Sequence, residues 1–321
     1  MATACVAAIG GPASAWAQKS YPMKTVRVIV PWPGGGNIDA AVRAITPRIS
    51  EPLGQPFIID NRPGAGGVVG SELAARAAPD GYTLLAENMT SHAINPLLYG
   101  KLSFDTERDF APIRMMVTIP HILVAHPSLP AKTVKELVAL ARARPGELNF
   151  ASFGAGTTSH LAGAMINIMT KIDLVHVAYK GGPPAMADTI AGHVPLNFTG
   201  IAITIPHVKS GRLRALAVLG LTRSPLLPDV PTMAEASGLP GYEVDSRIVL
   251  MSPGATPREA IDRLSQTVAA ALKAGDVQQR ITDMGLEIVQ DSAPEQFLPW
   301  FRAEREKWTR VIREANVRVE R

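Results

Sequence analysis

The amino-acid sequence predicts an α/β fold of two lobes, each a mostly parallel β-sheet flanked by helices, with a ligand cleft between them. Three observations support this prediction. The chain has 321 residues, which is more than one hydrophobic core usually holds. Strand-like and helix-like segments alternate in two successive runs. In both runs, glycine-rich loops follow strands at the points where helices begin.

The elements follow from hydrophobic periodicity and from Gly and Pro punctuation. In the first run we expect strands at 25–32, 56–62 and 82–88, with helices at 39–53, broken near Pro47, and at 66–79. In the second run we expect strands at 121–129, 148–154, 174–181, 194–201 and 213–220, with helices at 133–148, 159–170 and 184–193. A Pro- and Gly-rich linker at 223–244 precedes a strand at 246–254 and helices at 256–274, 276–285 and 293–317.

This order predicts that lobe 1 comprises 18–120 plus 228–321 and that lobe 2 comprises 121–227. The chain then passes between the lobes twice, which predicts a hinge and a cleft. The last helix carries an apolar stripe that we expect to pack in the core rather than to contact a ligand: Phe297, Trp300, Phe301, Trp308 and Ile312.

The N-terminal segment 1–17 is rich in alanine, carries no charge and ends in a small-x-small pattern. These features are typical of a secretory signal cleaved after Ala17. Such a signal begins with basic residues, and since none is present we expect the start to be truncated or misassigned. The alternative is an Ala-rich, disordered N-terminus. The apolar stretch is too short to span a bilayer, so we expect an exported protein without stable membrane insertion.

Composition and motif content argue against several functional classes. The only cysteine, Cys5, lies in that segment, so we expect no disulfide, thiolate metal site or cysteine nucleophile; lipid attachment at Cys5 stays open. The 32 basic and 28 acidic residues are scattered along the chain, which argues against a nucleic-acid partner. No two of the seven histidines have a metal-ligand spacing, and no cofactor motif is complete, so we predict neither metal nor cofactor.

Three glycine-rich loops stand at helix starts, at 31–39, 61–70 and 152–160. A glycine-rich backbone at a helix N-terminus exposes N–H donors and a partial positive charge, which together bind carboxylate or phosphate. We favour binding for Gly34, Gly35 and Gly36 and for Gly154–Gly156, and a tight turn with close helix packing for Gly64–Gly70. The last loop loosely matches a dinucleotide fingerprint, so a nucleotide-dependent enzyme is an unfavoured alternative.

Four side chains near these loops are candidates with two interpretations each. Asp39 is a possible base, but its position favours a role in capping the helix. His160 contacts the ligand or is a structural histidine with satisfied hydrogen bonds. Tyr179 can stack on a ligand or bind it by a hydrogen bond, and Lys180 either neutralises the ligand or is simply solvated.

Several segments together resemble one family. They include "VRVIVPWPGGGNIDAAVRAI", "GQPFIIDNRPGAGGVVGSELAARAAPDGYTLL", "NFASFGAGTTSHLAG" and "HVAYKGGPPAMADTIAGHV". In this order they are similar to the substrate-binding proteins of tripartite tricarboxylate transporters, the Bug family, over nearly all of 20–321. The resemblance implies a monomeric, type II-like periplasmic binding protein. It also implies uptake of a small organic carboxylate through partner membrane subunits, with no reaction catalysed.

The resemblance also implies where the ligand is held. The family's ligand loops correspond to 31–39, with Trp32, to 88–92, with Thr90 and Ser91, to 152–160 and to 179–182. In the family, N–H groups and hydroxyls of the second-lobe loop hold a carboxylate, and waters on the first loop bridge to it. Here the carboxylate would meet Ser152, Gly154, Gly156 and Thr157, and the waters would lie around Gly34–Gly36 and Asp39.

Two positions depart from the family pattern. Thr199 stands where the family usually has an aspartate, and Arg247 stands where it usually has a tryptophan. An arginine in the cleft would pair with a second carboxylate, which favours a dicarboxylate ligand. The alternative is that Arg247 points to solvent or to Glu243 or Asp245. A further alternative for the whole protein is a ligand-sensing receptor that engages a two-component sensor.

Overall fold

The computed structural model describes residues 21–100 and 102–317. The predicted export segment 1–17, with Cys5, lies outside the described residues. The elements up to the long central strand are β1 Val26–Val30, α1 Asn37–Leu53, β2 Phe57–Asn61, a 3₁₀ turn Ala65–Gly67, α2 Val68–Ala75, β3 Thr83–Asn88, α3 Met89–Tyr99, α4 Thr106–Asp109 and β4 Phe110–Ala125.

The remaining elements alternate through the second run and end in helices. They are α5 Val134–Ala143, β5 Asn149–Ser152, α6 Thr158–Thr170, β6 Val175–Ala178, α7 Gly182–Ile190, β7 Leu196–Gly200, α8 Ile205–Lys209, β8 Arg214–Val218, α9 Met233–Ser237, β9 Asp245–Pro253, α10 Arg258–Lys273, α11 Gly275–Asp283, β10 Glu287–Ile288 and α12 Pro294–Glu314.

One long strand, β4, joins two halves of a continuous sheet. In the first half the order is β2-β1-β3-β9-β4, and residues 110–120 of β4 pair with β9. From His121 onward, β4 instead pairs with β7 and β8, and the second half continues through β5 to β6. The chain therefore enters the second half within a single strand, between Pro120 and His121. Whether the two halves move as separate lobes with the boundaries given above stays a prediction.

The sheet is more mixed than the sequence predicts. β1 pairs in parallel with β2 and β3, and β5 pairs in parallel with β6 and β7. However, β9 lies antiparallel between β3 and β4, and β4 is antiparallel to β7, β8 and β10. The antiparallel pairs arise because β4 and β9, which carry the chain between halves, run against the strands of the βαβ units. The prediction of mostly parallel sheets is corrected to mixed sheets.

The C-terminal helix α12 packs as its apolar stripe predicts. Phe297, Phe301 and Trp308 are buried, and Trp300 and Ile312 are half-buried beside them. Phe297 and Phe301 belong to a core cluster under the first half of the sheet, whereas Trp308 belongs to a cluster under the second half. α12 therefore bridges both halves of the molecule.

One prediction about local structure is wrong, and two segments of regular structure were not predicted. Helix α1 continues through Pro47. The carbonyl that Pro47 leaves unpaired belongs to Arg43, and both residues are exposed, so water can satisfy it. Neither α3 nor the first half of β4 was expected from the sequence patterns. In β4 the ladder passes Pro112 with a register shift, which accommodates a residue without an N–H donor.

Candidate ligand-binding site

A cleft lies between the two halves of the sheet and has an inner cavity and a wider mouth. The inner cavity, of about 30 Å³, has room for one or two waters. It is lined by Trp32, Pro33, Gly36, Asn37, Ile38, Asn88, Ile119, His121, Phe153, Gly182, Pro183 and Ser246. The mouth, of about 490 Å³, shares Trp32, Pro33 and Phe153 with the cavity. It adds the 63–67 turn, Tyr99, Gly154, Ala155 and 178–181.

Helix α1 begins at the inner cavity. Its N-cap residue has no side chain that could accept a hydrogen bond from the N–H groups of the first turn. The N-cap is Gly36, in an extended conformation, and Gly36, Asn37 and Ile38 all line the cavity. Because glycine carries no capping oxygen, the N–H groups of the first turn are left for a ligand or water. The positive end of the α1 dipole adds to their attraction for an anion.

Helix α7 begins on the opposite wall of the same cavity, also at a glycine. Its N-cap is Gly181, and Gly182 and Pro183 line the cavity. A Cβ on Gly181 would lie 2.6 Å from Pro33 Cγ, and its φ of 116° disfavours other residues. Glycine at this position thus lets the two loops touch. The N-termini of one helix from each half therefore face one space, although the first three residues of α7 offer only the N–H of Gly182, because Pro183 and Pro184 have none.

In the predicted second-lobe loop, 152–160, most of the hydrogen-bond donors bond to acceptors within the loop. Thr157 Oγ1 donates to Gly154 O at 2.7 Å, and Gly154 N–H donates to Ser152 Oγ at 3.1 Å. Gly156 N–H donates to His160 Nδ1 at 3.1 Å, and Ser152 Oγ lies 2.5 Å from His176 Nε2. Of these predicted contacts only Gly154 borders the cleft, at its mouth. The structure thus favours Gly182 and Pro183, with Phe153, as the second-half wall of the cavity, rather than the predicted Ser152, Gly154, Gly156 and Thr157.

His160 is a structural histidine. Its ring stacks on His176 with centroids 3.7 Å apart and planes 10° apart. Burial, together with the neighbouring His176, lowers the pKa of His160 to about 3, so the ring is neutral at pH 7. Both rings border a separate pocket with Asn167 and Val317 rather than the cleft. Of the two interpretations of His160, the structure favours the structural one.

Asp39 braces the first loop from behind. It is the third residue of α1, and its Oδ2 accepts from Gly35 N–H at 2.9 Å and from Arg43 Nε at 2.9 Å. Its Oδ1 accepts from Asn61 Nδ2 at 3.1 Å. Burial opposes ionisation, but the hydrogen bonds from Arg43, Gly35 and Asn61 outweigh it and lower the pKa of Asp39. Asp39 therefore stabilises the conformation of the loop. Asp39, Gly34 and Gly35 do not themselves line the cavity.

Trp32 is held in the cleft wall by a buried acid. Its Nε1 donates to Glu87 Oε1 at 2.6 Å, and the same oxygen accepts from Asn88 N–H at 2.6 Å. Glu87 is completely buried, and burial raises its pKa well above the ordinary value despite those hydrogen bonds. Trp32 presents its ring to both the cavity and the mouth.

Arg247 does not enter the cleft. On β9, Ser246 faces the cavity opposite Ile119, so the next residue points to the other face of the sheet. There the guanidinium lies 5.0 Å from the centre of the Trp300 ring of α12. The prediction that Arg247 pairs with a ligand carboxylate is corrected by this strand alternation.

Three further candidates lie behind the cleft wall. Thr90 and Ser91, in the first turn of α3, are completely buried, as is Thr199, which pairs with Ile122. The structure places all three outside the lining of the cavity and its mouth. By contrast, Tyr179 and Lys180 both border the mouth.

The hydroxyl group of Tyr179 is already hydrogen-bonded within the second half of the molecule. Its hydroxyl donates to Asp188 Oδ2 at 2.7 Å. Burial and this hydrogen bond raise the pKa of Tyr179 to about 12. Lys180 is exposed beside it and is free to meet an anion entering the cleft.

Four polar side chains line the cavity, of which Asn37 and Asn88 lie in the segments 31–39 and 88–92 indicated by the family resemblance, while His121 and Ser246 were not predicted. Asn88 Nδ2 donates to Ser246 Oγ at 3.1 Å, which links β3 to β9 at the cavity wall. His121 Nδ1 lies 3.2 Å from Ile119 O, and burial lowers the pKa of His121 to about 4. Asn37 Oδ1 accepts from Ile203 N–H at 3.0 Å and so joins the two halves. The helix-start position was a signal for Asn37, but none of the sequence patterns singled out His121 or Ser246.

The turn at 64–70 is confirmed as a tight turn with close helix packing. Gly64, Gly66 and Gly67 have positive φ angles, and a Cβ on Gly70 would lie 2.5 Å from Pro31 Cβ. Within residues 21–100 and 102–317, no cluster of three or more potential ligands could hold a metal ion. Across the same residues, no helix is long and apolar enough to cross a membrane.

A mixed α/β sheet in two halves, with glycine-started helices facing a cleft between them, defines a solute-binding protein of the periplasmic type. The model of the tripartite tricarboxylate transporter family receptor matches residues 41–317. The chain belongs to this family, which consists of periplasmic binding proteins rather than enzymes.

Three similar proteins illustrate the family. The protein BugT of Bordetella pertussis is 33% identical over 98% of this chain and 95% of its own length. The structure of R. palustris Rpa4515 with adipate has a TM-score of 0.89, with 34% identity over 93% of this chain and 99% of that one. The structure of MatC from Rhodopseudomonas palustris with bound malate has a TM-score of 0.85, with 32% identity over 91% of this chain and 100% of that one. The predicted family and fold class are thereby confirmed.

Proposed function

We propose that this protein captures a small organic carboxylate in the periplasm and delivers it to tripartite tricarboxylate-type membrane subunits. The observation that carries the proposal is the uncapped N-terminus of α1 at Gly36, which faces the first residue of α7, Gly182, across one cavity. Backbone donors of this kind bind a carboxylate without a paired cation. Adipate and malate, the ligands of two similar structures, are both carboxylates.

Binding requires the two halves to separate and close again. A cavity of about 30 Å³ holds waters but not a dicarboxylate, so the ligand has to enter an opened form. The chain connects the halves through β4 at Pro120–His121 and through the segment before β9, which are the natural hinge positions. A ligand that touches both walls stabilises the closed form and so signals occupancy to the membrane partner.

The first test is thermal unfolding against mono-, di- and tricarboxylates, amino acids, aromatic acids and NAD. A ligand present at 100 times its Kd adds about 2.7 kcal/mol to the free energy of unfolding. We expect a higher Tm with one class of carboxylate and an unchanged Tm with NAD. A shift with NAD alone would refute the proposal.

The second test places a charge at the start of α1. Gly36 has an extended backbone, φ −79° and ψ 172°, which an aspartate or asparagine N-cap adopts readily. We expect Gly36→Asp to keep the protein folded but to weaken carboxylate binding at least about 100-fold, since like charges in contact cost several kcal/mol. Gly36→Asn is the matched control, because it competes for the same N–H groups without the charge. Equal affinities of the two variants would show that the carboxylate lies elsewhere.

A further inference from the structure

His121 is the one strongly buried titratable side chain that lines the inner cavity and has no role in the carboxylate site described above. It lies at the crossing point of β4, where pairing changes from β9 to β7. The residue opposite it on β7 is Gly200, so no side chain from that position covers the ring. Phe153 lies beside the ring, with centroids 6.2 Å apart.

The hydrogen bonds of His121 determine what its ring offers to the cavity. Nδ1 lies 3.2 Å from the carbonyl oxygen of Ile119, which only accepts hydrogen bonds, so Nδ1 carries the proton. In a neutral imidazole the other nitrogen, Nε2, is then a bare acceptor. Burial keeps the ring neutral at pH 7, because it lowers the pKa of His121 to about 4.

That acceptor is unsatisfied. Within the part of the chain that the structure describes, Nε2 of His121 is buried and has no hydrogen-bond partner. A buried polar atom without a partner destabilises a protein. Because His121 is part of the cavity wall, a ligand that enters between the opened halves can bring a donor to Nε2. A carboxylate oxygen cannot do this, because it would set one lone pair against another.

We propose that His121 Nε2 accepts a hydrogen bond from a hydroxyl group of the ligand, so that the protein selects hydroxycarboxylates over their deoxy analogues. This inference rests on the proposed function, since the carboxylate of the same ligand binds at the start of α1. Backbone N–H groups bind the acid at one part of the cavity, and the histidine reads a donor at another. Discrimination follows because a deoxy analogue leaves Nε2 buried and unpaired.

The test compares ligands that differ only in the donor. Dissociation constants are measured by calorimetry at pH 7 for malate, succinate and aspartate, for lactate and propionate, and for 3-hydroxybutyrate and butyrate. We expect the hydroxy acid of at least one pair to bind about tenfold or more tightly than its deoxy partner. In His121→Leu that ratio falls to within about twofold, and in His121→Gln, whose amide oxygen accepts, part of it returns.

The possible outcomes separate this inference from the proposed function. If hydroxy and deoxy acids bind equally to the wild-type protein, or if the preference persists in His121→Leu, the role of His121 is refuted and the carboxylate receptor stands. A preference for aspartate over malate identifies an ammonium donor and overturns the hydroxyl. If no carboxylate binds, the proposed function fails, and the role of His121 fails with it.

A second measurement does not depend on the variants folding. In ¹⁵N-histidine-labelled protein, the Nε2 resonance of His121 should have the shift of an unprotonated nitrogen and should move upfield with a hydroxy acid. The deoxy partner should leave it nearly unchanged. His160 and His176, which border a separate pocket, are internal controls. A resonance of His121 that responds equally to both members of every pair would overturn the proposal.

Discussion

Substitution of Gly181 by alanine tests whether the two loops of the cleft touch in the closed protein. Gly181 has φ 116° and ψ 178°, a conformation that is essentially restricted to glycine. A Cβ at this position would also lie 2.6 Å from Pro33 Cγ and 2.8 Å from Pro33 Cδ, on the other half of the molecule. Two separate penalties therefore act on the Gly181→Ala variant.

The two penalties have different thermodynamic signatures. The backbone penalty is present whether the halves are open or closed, and it lowers the free energy of unfolding by about 1–3 kcal/mol. The contact with Pro33 exists only when the halves are together, so it opposes closure. Overpacking of this kind costs about 1–3 kcal/mol, which predicts ligand binding weaker by about 5- to 150-fold.

Chemical denaturation and calorimetry measure the two effects separately. Gly238→Ala is the matched control, because Gly238 also has a positive φ, 68°, but a Cβ there would meet nothing within 4 Å. We expect both variants to lose stability and only Gly181→Ala to lose affinity. If Gly181→Ala binds the ligand found in the panel as tightly as the wild-type protein does, the contact between Pro33 and Gly181 has no part in the liganded state, and the reasoning is refuted.

Three other predictions concern charges around the cleft. Burial raises the pKa of Glu87 well above its ordinary value of 4.5. The folded protein therefore binds this proton more tightly than the unfolded chain does, and its free energy of unfolding falls as the pH rises above 4.5. In denaturant titrations, Glu87→Gln should lose less of its free energy of unfolding between about pH 5 and 8. Arg43→Gln should raise the pKa of Asp39, measured by NMR, and should weaken carboxylate binding up to about fivefold, because it removes the exposed cation that neutralises the buried Asp39 carboxylate. Arg247→Ala should lower the Tm, because the guanidinium packs over Trp300, but should leave the ligand affinity measured by calorimetry unchanged. A loss of affinity would show that Arg247 contacts the ligand.

The parts of the fold that the sequence predicts are those with local signals. A glycine loop at a helix start located the wall at Gly36, since a tight turn and a helix N-terminus are encoded in a few consecutive residues. The wall at the start of α7 was indicated by the family resemblance over 179–182. The full length of β4 was hidden by Pro112 and Pro120, which normally argue against a strand. Here the strand tolerates Pro112 through a register shift.

The side chains inside the cavity depend on contacts that no local pattern reports. Asn88, His121 and Ser246 meet there because β9 inserts antiparallel between β3 and β4. That insertion decides that Ser246 faces the cavity and that Arg247 faces α12. A shift of one residue in the register of β9 would exchange the two. The sequence alone does not set this register, so a plausible arginine was favoured over the serine beside it.

Two acidic side chains, Asp39 and Glu87, lie behind the wall of the anion site. The negative charge of each one is neutralised. Asp39 is ionised, but its carboxylate is 2.9 Å from the Arg43 guanidinium and accepts backbone and amide donors. Glu87 is buried behind Trp32, where its raised pKa favours the uncharged acid. Neither group therefore opposes a carboxylate at the start of α1. The N–H donors at the start of α1 can thus act on the ligand at nearly full strength in a cavity from which most water is excluded.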